Sequence, residues 1–265
     1  MKLILPIFLI FYSMQLTAQT SKVFDNESMT SEILNMERKY AVYLPPDYET
    51  SQRSYPVLYL LHGSGDDQTG WVQFGEVKHI SDKAIHEGKA TPMIIIMPDA
   101  NTGKKGYFND PTNNWQYENF FFEELMPFVE NNYRIKREKR YRAIAGLSMG
   151  GGGTFVYALH RSDLFSSACP LSASTGPLNR DETRKHMEHR GYKNPDSDQI
   201  NDYYNQYSVL NLVNTIPDKQ KKAVRWYIDC GDDDFLYEGN SLVHIAMKKK
   251  GIPHEYRVRD GAHNW

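Results

Sequence analysis

The stretch RAIAGLSMGGGGTFVYAL (residues 142–159) places one serine, Ser148, between glycines at the junction of two apolar segments. The first segment is typical of a buried strand and the second of a helix, so the serine falls at the turn between them. Glycine loses more backbone entropy on folding than any other residue, so the four glycines after Met149 indicate a geometry that demands them. The pattern predicts a strained strand–turn–helix that lifts the Ser148 hydroxyl above the end of a sheet.

Strand-like and helix-like segments alternate on both sides of this turn. Apolar or alternating runs predict strands at residues 38–48, 55–63, 92–100, 142–145, 167–171, 224–229 and 254–258. Helical spacing predicts helices at residues 77–88, 117–133, from 149 onward, and 239–250. The alternation predicts an α/β fold with a mostly parallel central sheet and helices on both faces.

Residues 175–206 interrupt this alternation, because they are polar and have no clear apolar period. We interpret them as a polar insertion at the edge of the sheet and a candidate lid. The alternative interpretation is an insertion that is merely solvated.

The composition is that of an ordinary globular protein. With 265 residues, 40% hydrophobic and 24% charged, the chain suits one large domain. A formal net charge of −2 at pH 7 provides no basic field, so nucleic acid is not an expected partner. The two cysteines, Cys169 and Cys230, lie in apolar strand-like stretches, which favours buried free thiols over a disulfide. The sequence leaves the oligomeric state open.

The first 19 residues, MKLILPIFLIFYSMQLTAQ, differ from the rest of the chain. A lysine at position 2 precedes an apolar run and a small polar end, which is typical of a secretory signal peptide. The apolar run is short for a membrane span and contains Pro6. We therefore expect a secreted or periplasmic protein without stable membrane association, and a single domain at residues 20–265.

Ser148 lies in the pattern G-x-S-x-G, which carries the nucleophile of hydrolases built on a strand–turn–helix. A serine hydroxyl needs a base to take its proton, and in such folds the chain order is Ser, then Asp or Glu, then His. Among the histidines after Ser148, His263 alone lies in a glycine-containing loop just past the last predicted strand. The sequence therefore predicts Ser148 as nucleophile and His263 as base.

The sequence does not identify which acidic residue orients the base. The loop after the strand at 224–229 offers Asp232, Asp233 and Asp234, and the residues alone do not choose among them. The oxyanion needs two backbone donors, for which the N–H groups of Met149 and Ser64 are the candidates. His62, close to Ser64, is interpreted as a residue that stabilises the turn.

Several ordered motifs carry a family resemblance: YLLHGSGDDQTGW, GKATPMIIIMPDAN, YRAIAGLSMGGG, DCGDDDFLYEGN and KKKGIPHEYRVRDGAHNW. They resemble the esterase D-like branch of the α/β-hydrolases, closest to the feruloyl and acetyl-xylan esterases of carbohydrate esterase family one. The resemblance implies the α/β-hydrolase fold and Asp234 as the triad acid, beside Ser148 and His263. It also implies Ser64 and Met149 as oxyanion donors, and neither a metal nor an organic cofactor.

The resemblance further implies that residues 101–115 border the acyl site. Trp71, Tyr107 and Trp115 are accordingly predicted to contact substrate, and the alternative is that they only pack the loop. Members of the family continue with a helix after the base, whereas this chain stops two residues after His263. A C-terminal helix is therefore expected to be missing.

The expected function is a secreted serine carboxylesterase that removes feruloyl or acetyl groups from plant cell-wall polysaccharides. The expected partner is thus a small ester or an acylated polysaccharide. The alternatives are a broad short-chain acyl esterase, an acyltransferase of the same fold, and a non-catalytic carbohydrate-binding relative.

Overall fold

A computed structural model describes residues 20–100, 106–110 and 114–265. The predicted signal peptide, residues 1–19, lies outside the described residues, as do parts of the loop at 101–115. Eight strands form one sheet: β1 (Lys22–Ser31), β2 (Met36–Leu44), β3 (Val57–Leu61), β4 (Ile94–Pro98), β5 (Arg142–Leu147), β6 (Ser167–Leu171), β7 (Arg225–Gly231) and β8 (His254–Arg259).

The spatial order of the strands is β1-β2-β4-β3-β5-β6-β7-β8. Strand β2 runs antiparallel to β1 and β4, and every pairing from β4 through β8 is parallel. The predicted mostly parallel sheet is confirmed. Because parallel strands end at the same edge, β3, β5, β6, β7 and β8 bring their following loops together there.

The helices are α1 (Gly70–Gln73), α2 (Val77–His86), α3 (Tyr117–Asn119), α4 (Met126–Asn132), α5 (Met149–His160), α6 (Arg180–His189), α7 (Ser197–Tyr207), α8 (Val209–Thr215) and α9 (Tyr237–Lys250). A π-helical segment, Phe120–Leu125, joins α3 to α4. Two apolar clusters cover the two faces of the sheet. The smaller includes Val77 of α2, and the larger includes Phe155 of α5 and Val243 of α9.

The segment at residues 175–206 is more ordered than its polarity predicts. It contains α6 and most of α7, and α7 begins with a capping box at Asp196. Thr183, Met187, Ile200 and Tyr203 are all buried. Each helix thus has a narrow apolar stripe at a spacing of three or four residues, which is too sparse to stand out among the charged neighbours. A moving lid stays a prediction.

No helix among the described residues is long and apolar enough to cross a membrane. Cys169 and Cys230 are free thiols, as interpreted from their apolar surroundings. Burial raises the pKa of Cys169 to about 12 and that of Cys230 to about 11, so both stay protonated at neutral pH. The single domain stays a prediction.

Candidate active site

Ser148 occupies the turn between β5 and α5 in a strained conformation, with φ 55° and ψ −116°. Positive φ is costly for a residue that carries a Cβ, so the turn persists only because its surroundings hold it. A Cβ on Gly146 would lie 2.6 Å from the Gly150 carbonyl oxygen, and one on Gly150 would lie 2.5 Å from the Leu61 carbonyl oxygen. The two glycines of the motif thus allow strand β3, the turn and α5 to approach closely.

His263 links Ser148 to Asp234. Its Nε2 lies 2.9 Å from Ser148 Oγ, and its Nδ1 lies 2.8 Å from Asp234 Oδ2. Because the carboxylate only accepts, Nδ1 carries a proton and Nε2 is left to accept one from the serine hydroxyl. The structure therefore brings together the three residues that the sequence and the family resemblance selected, within hydrogen-bond distance of one another.

Asp234 is fully buried at the end of the loop after β7. Burial alone would raise its pKa, but hydrogen bonds from the Leu236 N–H, the Ser172 hydroxyl and His263 outweigh this effect and lower it. The Leu236 N–H lies 2.8 Å from Asp234 Oδ1. The Leu236 N–H thus occupies Oδ1 while Oδ2 faces His263, so the carboxylate stays ionised and correctly oriented.

The neighbouring aspartates have other partners. Asp232 Oδ1 accepts from the Gly261 N–H at 3.1 Å and from the Asp233 N–H at 3.1 Å. The side chains of Asp232 and Asp233 are exposed and, with exposed Asp260, form the one group among the described residues with three clustered potential metal ligands. Asp232 thus supports the loop that carries the base, and Asp234 alone of the three contacts His263 in the described hydrogen bonds.

The two residues predicted to donate their backbone N–H groups to the oxyanion, Ser64 and Met149, lie close to the nucleophile in the chain or in space. Met149 is the first residue of α5, where a helical N–H has no partner within the helix. Ser64 follows Gly63, at which a Cβ would lie 3.6 Å from the Ser148 Cβ. Both residues therefore lie beside Ser148, in positions suited to an oxyanion.

His62 stabilises the loop that carries Ser64. Its Nε2 accepts from the Ala100 N–H at 2.9 Å, and its Nδ1 lies 2.7 Å from the Gly63 carbonyl oxygen, to which it donates. Burial lowers its pKa, which favours this neutral tautomer. The interpretation of His62 as a turn residue agrees with these contacts.

A cleft of about 490 Å³ opens beside the nucleophile, and we refer to it as the serine cleft. Ser148, His263 and Ser64 lie at its base. Its apolar wall comes from α1, α2 and the last residue of the chain: Trp71, Phe74, Ile80 and Trp265. Trp71 and Trp265 pack edge to face with ring centroids 5.1 Å apart. Trp71 thus lines the same cleft as Ser148 and His263, and its contact with substrate stays a prediction.

The structure does not bring Tyr107 and Trp115, the other two predicted substrate contacts, to the serine cleft. Both are buried, with exposed fractions of 1% and 3%, and neither lines the serine cleft. The Tyr107 hydroxyl donates to the His62 carbonyl, and Trp115 Nε1 donates to the Gly106 carbonyl. Their rings pack on Tyr117 in the larger apolar cluster. The polar atoms of both rings are therefore used inside the protein, and Tyr107 supports the loop that carries Ser64 through its bond to His62.

Three residues near the triad were not predicted. Ser172 has a positive φ of 42° at the end of β6, and its hydroxyl donates to Asp234. Trp265 completes the wall of the serine cleft, and the ring of Phe235 packs on His263 with centroids 4.5 Å apart. Their positions in the sequence were the one signal that could have identified them. Ser172 directly follows a predicted strand, Phe235 directly follows Asp234, and Trp265 lies two residues after His263.

The sheet, the turn at Ser148 and the loops gathered at one edge are those of an esterase with the α/β-hydrolase fold. Residues 31–265 match the model of the Esterase family, described as "Putative esterase". The match covers most of the chain, and the chain belongs to this family. The predicted family and fold are thereby confirmed, as is the enzyme class, a serine carboxylic ester hydrolase.

Curated relatives agree with this family. An esterase of Mycobacterium tuberculosis is 32% identical over 250 residues, covering 84% of this chain and 51% of its own length. A protein of Xylanibacter ruminicola named endo-1,4-beta-xylanase/feruloyl esterase is 37% identical over 143 residues, covering 51% of this chain and 19% of its own length. The chain thus spans about half or less of the length of these relatives.

A solved structure described as a ferulic acid esterase superposes with a TM-score of 0.82 at 36% identity, covering 94% of this chain and 93% of that one. An S-formylglutathione hydrolase of Staphylococcus aureus superposes with a TM-score of 0.72 at 21% identity, covering 92% of each chain. At that identity the second similarity shows the fold alone.

Proposed function

We propose that this chain is a secreted serine carboxylesterase that hydrolyses feruloyl or acetyl esters on plant cell-wall polysaccharides. The observation that carries the proposal is the position of His263, within hydrogen-bond distance of both the Ser148 hydroxyl and the Asp234 carboxylate. Membership of the esterase family and the xylanase/feruloyl esterase relative support the substrate class.

In the proposed reaction Ser148 Oγ attacks the ester carbonyl while His263 Nε2 takes the hydroxyl proton. The negative oxygen that forms is stabilised by the N–H groups of Ser64 and Met149. His263 then donates its proton to the leaving alcohol oxygen, and an acyl-enzyme remains on Ser148. Water, deprotonated by the same imidazole, releases the acid and restores the serine. Asp234 fixes the tautomer and stabilises the charged ring throughout.

The wall of the serine cleft favours an aromatic acyl group. Trp71, Phe74 and Trp265 present aromatic surface, and the exposed fractions of Phe74 and Trp265 are 56% and 49%. Covering such surface with a planar ring removes apolar area from water and adds ring–ring contacts. Feruloyl is therefore the acyl group that we favour over acetyl.

The test compares release of ferulate from methyl ferulate with release of acetate from acetylated xylan, by the wild type and by Ser148→Ala. Serine-dependent release of ferulate supports the proposal, and release of acetate alone means that the cleft selects a small acyl group. Retained hydrolysis by a normally folded Ser148→Ala variant would contradict the assignment of the nucleophile.

A broad short-chain acyl esterase is the second candidate. An S-formylglutathione hydrolase of Bos taurus is 26% identical over 266 residues, covering 91% of this chain and 86% of its own length. Cleavage of short synthetic esters without release of ferulate or acetate from the plant substrates would favour this candidate.

A further inference from the structure

Phe235 stands beside the triad with most of its side chain in solvent. It directly follows Asp234, its exposed fraction is 71%, and its ring packs on the His263 ring with planes inclined by 55°. An apolar ring that is this exposed gains little free energy from burial. Its position against the proposed base suggests that a substrate group covers it.

Beyond Phe235 lies a second cleft, of about 290 Å³, which we refer to as the Phe235 cleft. Its walls come from the chain after β6, from α6 and from the start of α9: Thr175, Pro177, Glu182, His186, Phe235 and Glu238. Two residues join it to the triad. Phe235 contacts His263, and Ser174 donates its backbone N–H to the Ser148 carbonyl oxygen at 2.9 Å.

The geometry of ester cleavage assigns different directions to the two arms of the substrate. The leaving oxygen must lie within reach of His263 Nε2, because that atom donates the proton. The alcohol arm therefore departs on the side of the imidazole, where Phe235 packs on the ring and also lines the Phe235 cleft. The acyl arm is left with the apolar wall of the serine cleft, which Trp71, Phe74 and Trp265 form.

The chemistry of the Phe235 cleft differs from that of the serine cleft. It holds two carboxylates and an imidazole, beside one exposed aromatic ring. Glu182 is fixed in place because its carboxylate accepts from the Leu178 N–H at 2.9 Å and from Asn179 Nδ2 at 2.7 Å. Burial lowers the pKa of His186 to about 4, so this ring is neutral near pH 7.

This set of groups matches a polyhydroxylated ligand. Carboxylate oxygens accept hydrogen bonds from hydroxyl groups, and an aromatic face packs on the apolar C–H face of a sugar ring. His186 Nε2 lies 3.2 Å from the Tyr203 hydroxyl oxygen, so Nδ1 is the ring nitrogen available to a ligand. We propose that the Phe235 cleft binds the sugar of the alcohol arm, with Phe235 stacked on the residue that carries the ester. This inference rests on the proposed function for the identity of the ester.

Kinetics on two esters of one acyl group test the inference. The substrates are methyl ferulate and a feruloylated arabinoxylo-oligosaccharide, and the readout is the ratio of kcat/KM for the oligosaccharide ester to that for the methyl ester. We expect Phe235→Ala to lower this ratio roughly five- to tenfold, mainly through KM, since one stacking contact is lost. Glu238→Gln should also lower this ratio of kcat/KM values.

The matched control is Tyr237→Ala, which removes another exposed aromatic ring two residues away. Tyr237 does not line the Phe235 cleft, so this variant should keep the wild-type ratio. A ratio that Phe235→Ala leaves unchanged, whatever happens to the two separate rates, would overturn the inference. Equal losses on both esters would mean that Phe235 acts only through His263.

Binding separates this inference from the proposed function. The Ser148→Ala variant is titrated calorimetrically with the acyl-free arabinoxylo-oligosaccharide, with and without Phe235→Ala. Binding that Phe235→Ala weakens supports the sugar cleft even if the wild type cleaves neither ester. Absence of binding at millimolar oligosaccharide, in a protein that does cleave methyl ferulate, would refute the sugar cleft and leave the esterase standing.

Discussion

His160 and Glu118 form a hydrogen-bonded pair, with His160 Nδ1 2.7 Å from Glu118 Oε1. The second ring nitrogen, Nε2, lies 3.0 Å from the carbonyl oxygen of Gln206 in α7. Both partners only accept, so both nitrogens donate and the ring is charged. Burial alone would lower the pKa of His160, but the hydrogen bond and the charge of Glu118 outweigh it and raise that pKa. A charged histidine therefore ties the end of α5 to the polar helical segment.

His160→Gln should destabilise the protein more at pH 6 than at pH 9. The folded pKa is raised above 6.5, so the stabilisation is complete below the unfolded value and disappears as pH rises through the folded one. We expect a loss of about 1 to 2 kcal/mol at pH 6, measured by urea unfolding. His79→Gln, at an exposed position of α2, serves as control. A difference that stays constant or grows toward pH 9 would contradict the charged pair.

Asp234→Asn should cost far more rate than Asp232→Asn. The amide cannot hold the His263 tautomer that leaves Nε2 free to accept, so we expect kcat to fall roughly 10³-fold or more. Asp232 contacts the backbone of the loop, and Asp232→Asn keeps an acceptor for the Gly261 N–H, so its rate should stay within a few-fold of the wild type. Steady-state kinetics on a short synthetic ester decides the matter. Equal losses would mean that the wrong carboxylate had been chosen.

Ser172→Ala removes one of the hydrogen bonds that lower the pKa of Asp234. The stabilisation from a lowered carboxyl pKa is present above the unfolded value and is lost as pH falls through the folded value. The variant should therefore be less stable than the wild type at pH 6, and this difference should shrink as pH falls below the ordinary aspartate range. Urea unfolding across pH 3 to 6 measures it, with Ser54→Ala, in an exposed loop, as control. A difference independent of pH would mean that Ser172 acts through packing alone.

Gly150→Ala should change the stability of the protein through two opposing effects, helix propensity and steric overlap. Alanine favours a helix by about 1 kcal/mol over glycine. The new Cβ, however, would lie 2.5 Å from the Leu61 carbonyl oxygen and 2.7 Å from that of His62, and both are backbone atoms. We expect the close approach to dominate and the melting temperature to fall by roughly 5 °C or more. A melting temperature equal to or above that of the wild type would show that β3 can move away from the turn.

The sequence predicted the features that depend on local patterns. Apolar runs marked the parallel strands because those strands are buried on both faces. Strand β1, Lys22–Ser31, was missed because most of its side chains are exposed and it has no apolar alternation. Helices α6 and α7 were missed because two or three apolar residues each suffice to anchor them to the core.

Some residues of the candidate site could also be predicted from local patterns, whereas others depend on the fold as a whole. Ser148 and His263 follow from a motif and from chain order, whereas Asp234 needed the family resemblance to separate it from its neighbours. Ser172 reaches Asp234 because β6 and β7 pair in register, with Leu171 opposite Asp229. The burial of Tyr107 and Trp115 could not be predicted, because an aromatic residue suits a core and a ligand site equally well, and burial is a property of the whole fold.

The glycine tract of α5 has a consequence for how the serine can be used as a probe. Glycines fill four of the first five positions of this helix, so the isolated segment has little tendency to be helical. The turn at Ser148 therefore exists only when β3, β5 and β6 are already assembled around it. Covalent labelling by an organophosphate would then count native molecules, and the labelled fraction during refolding would follow completion of the sheet rather than collapse of the chain.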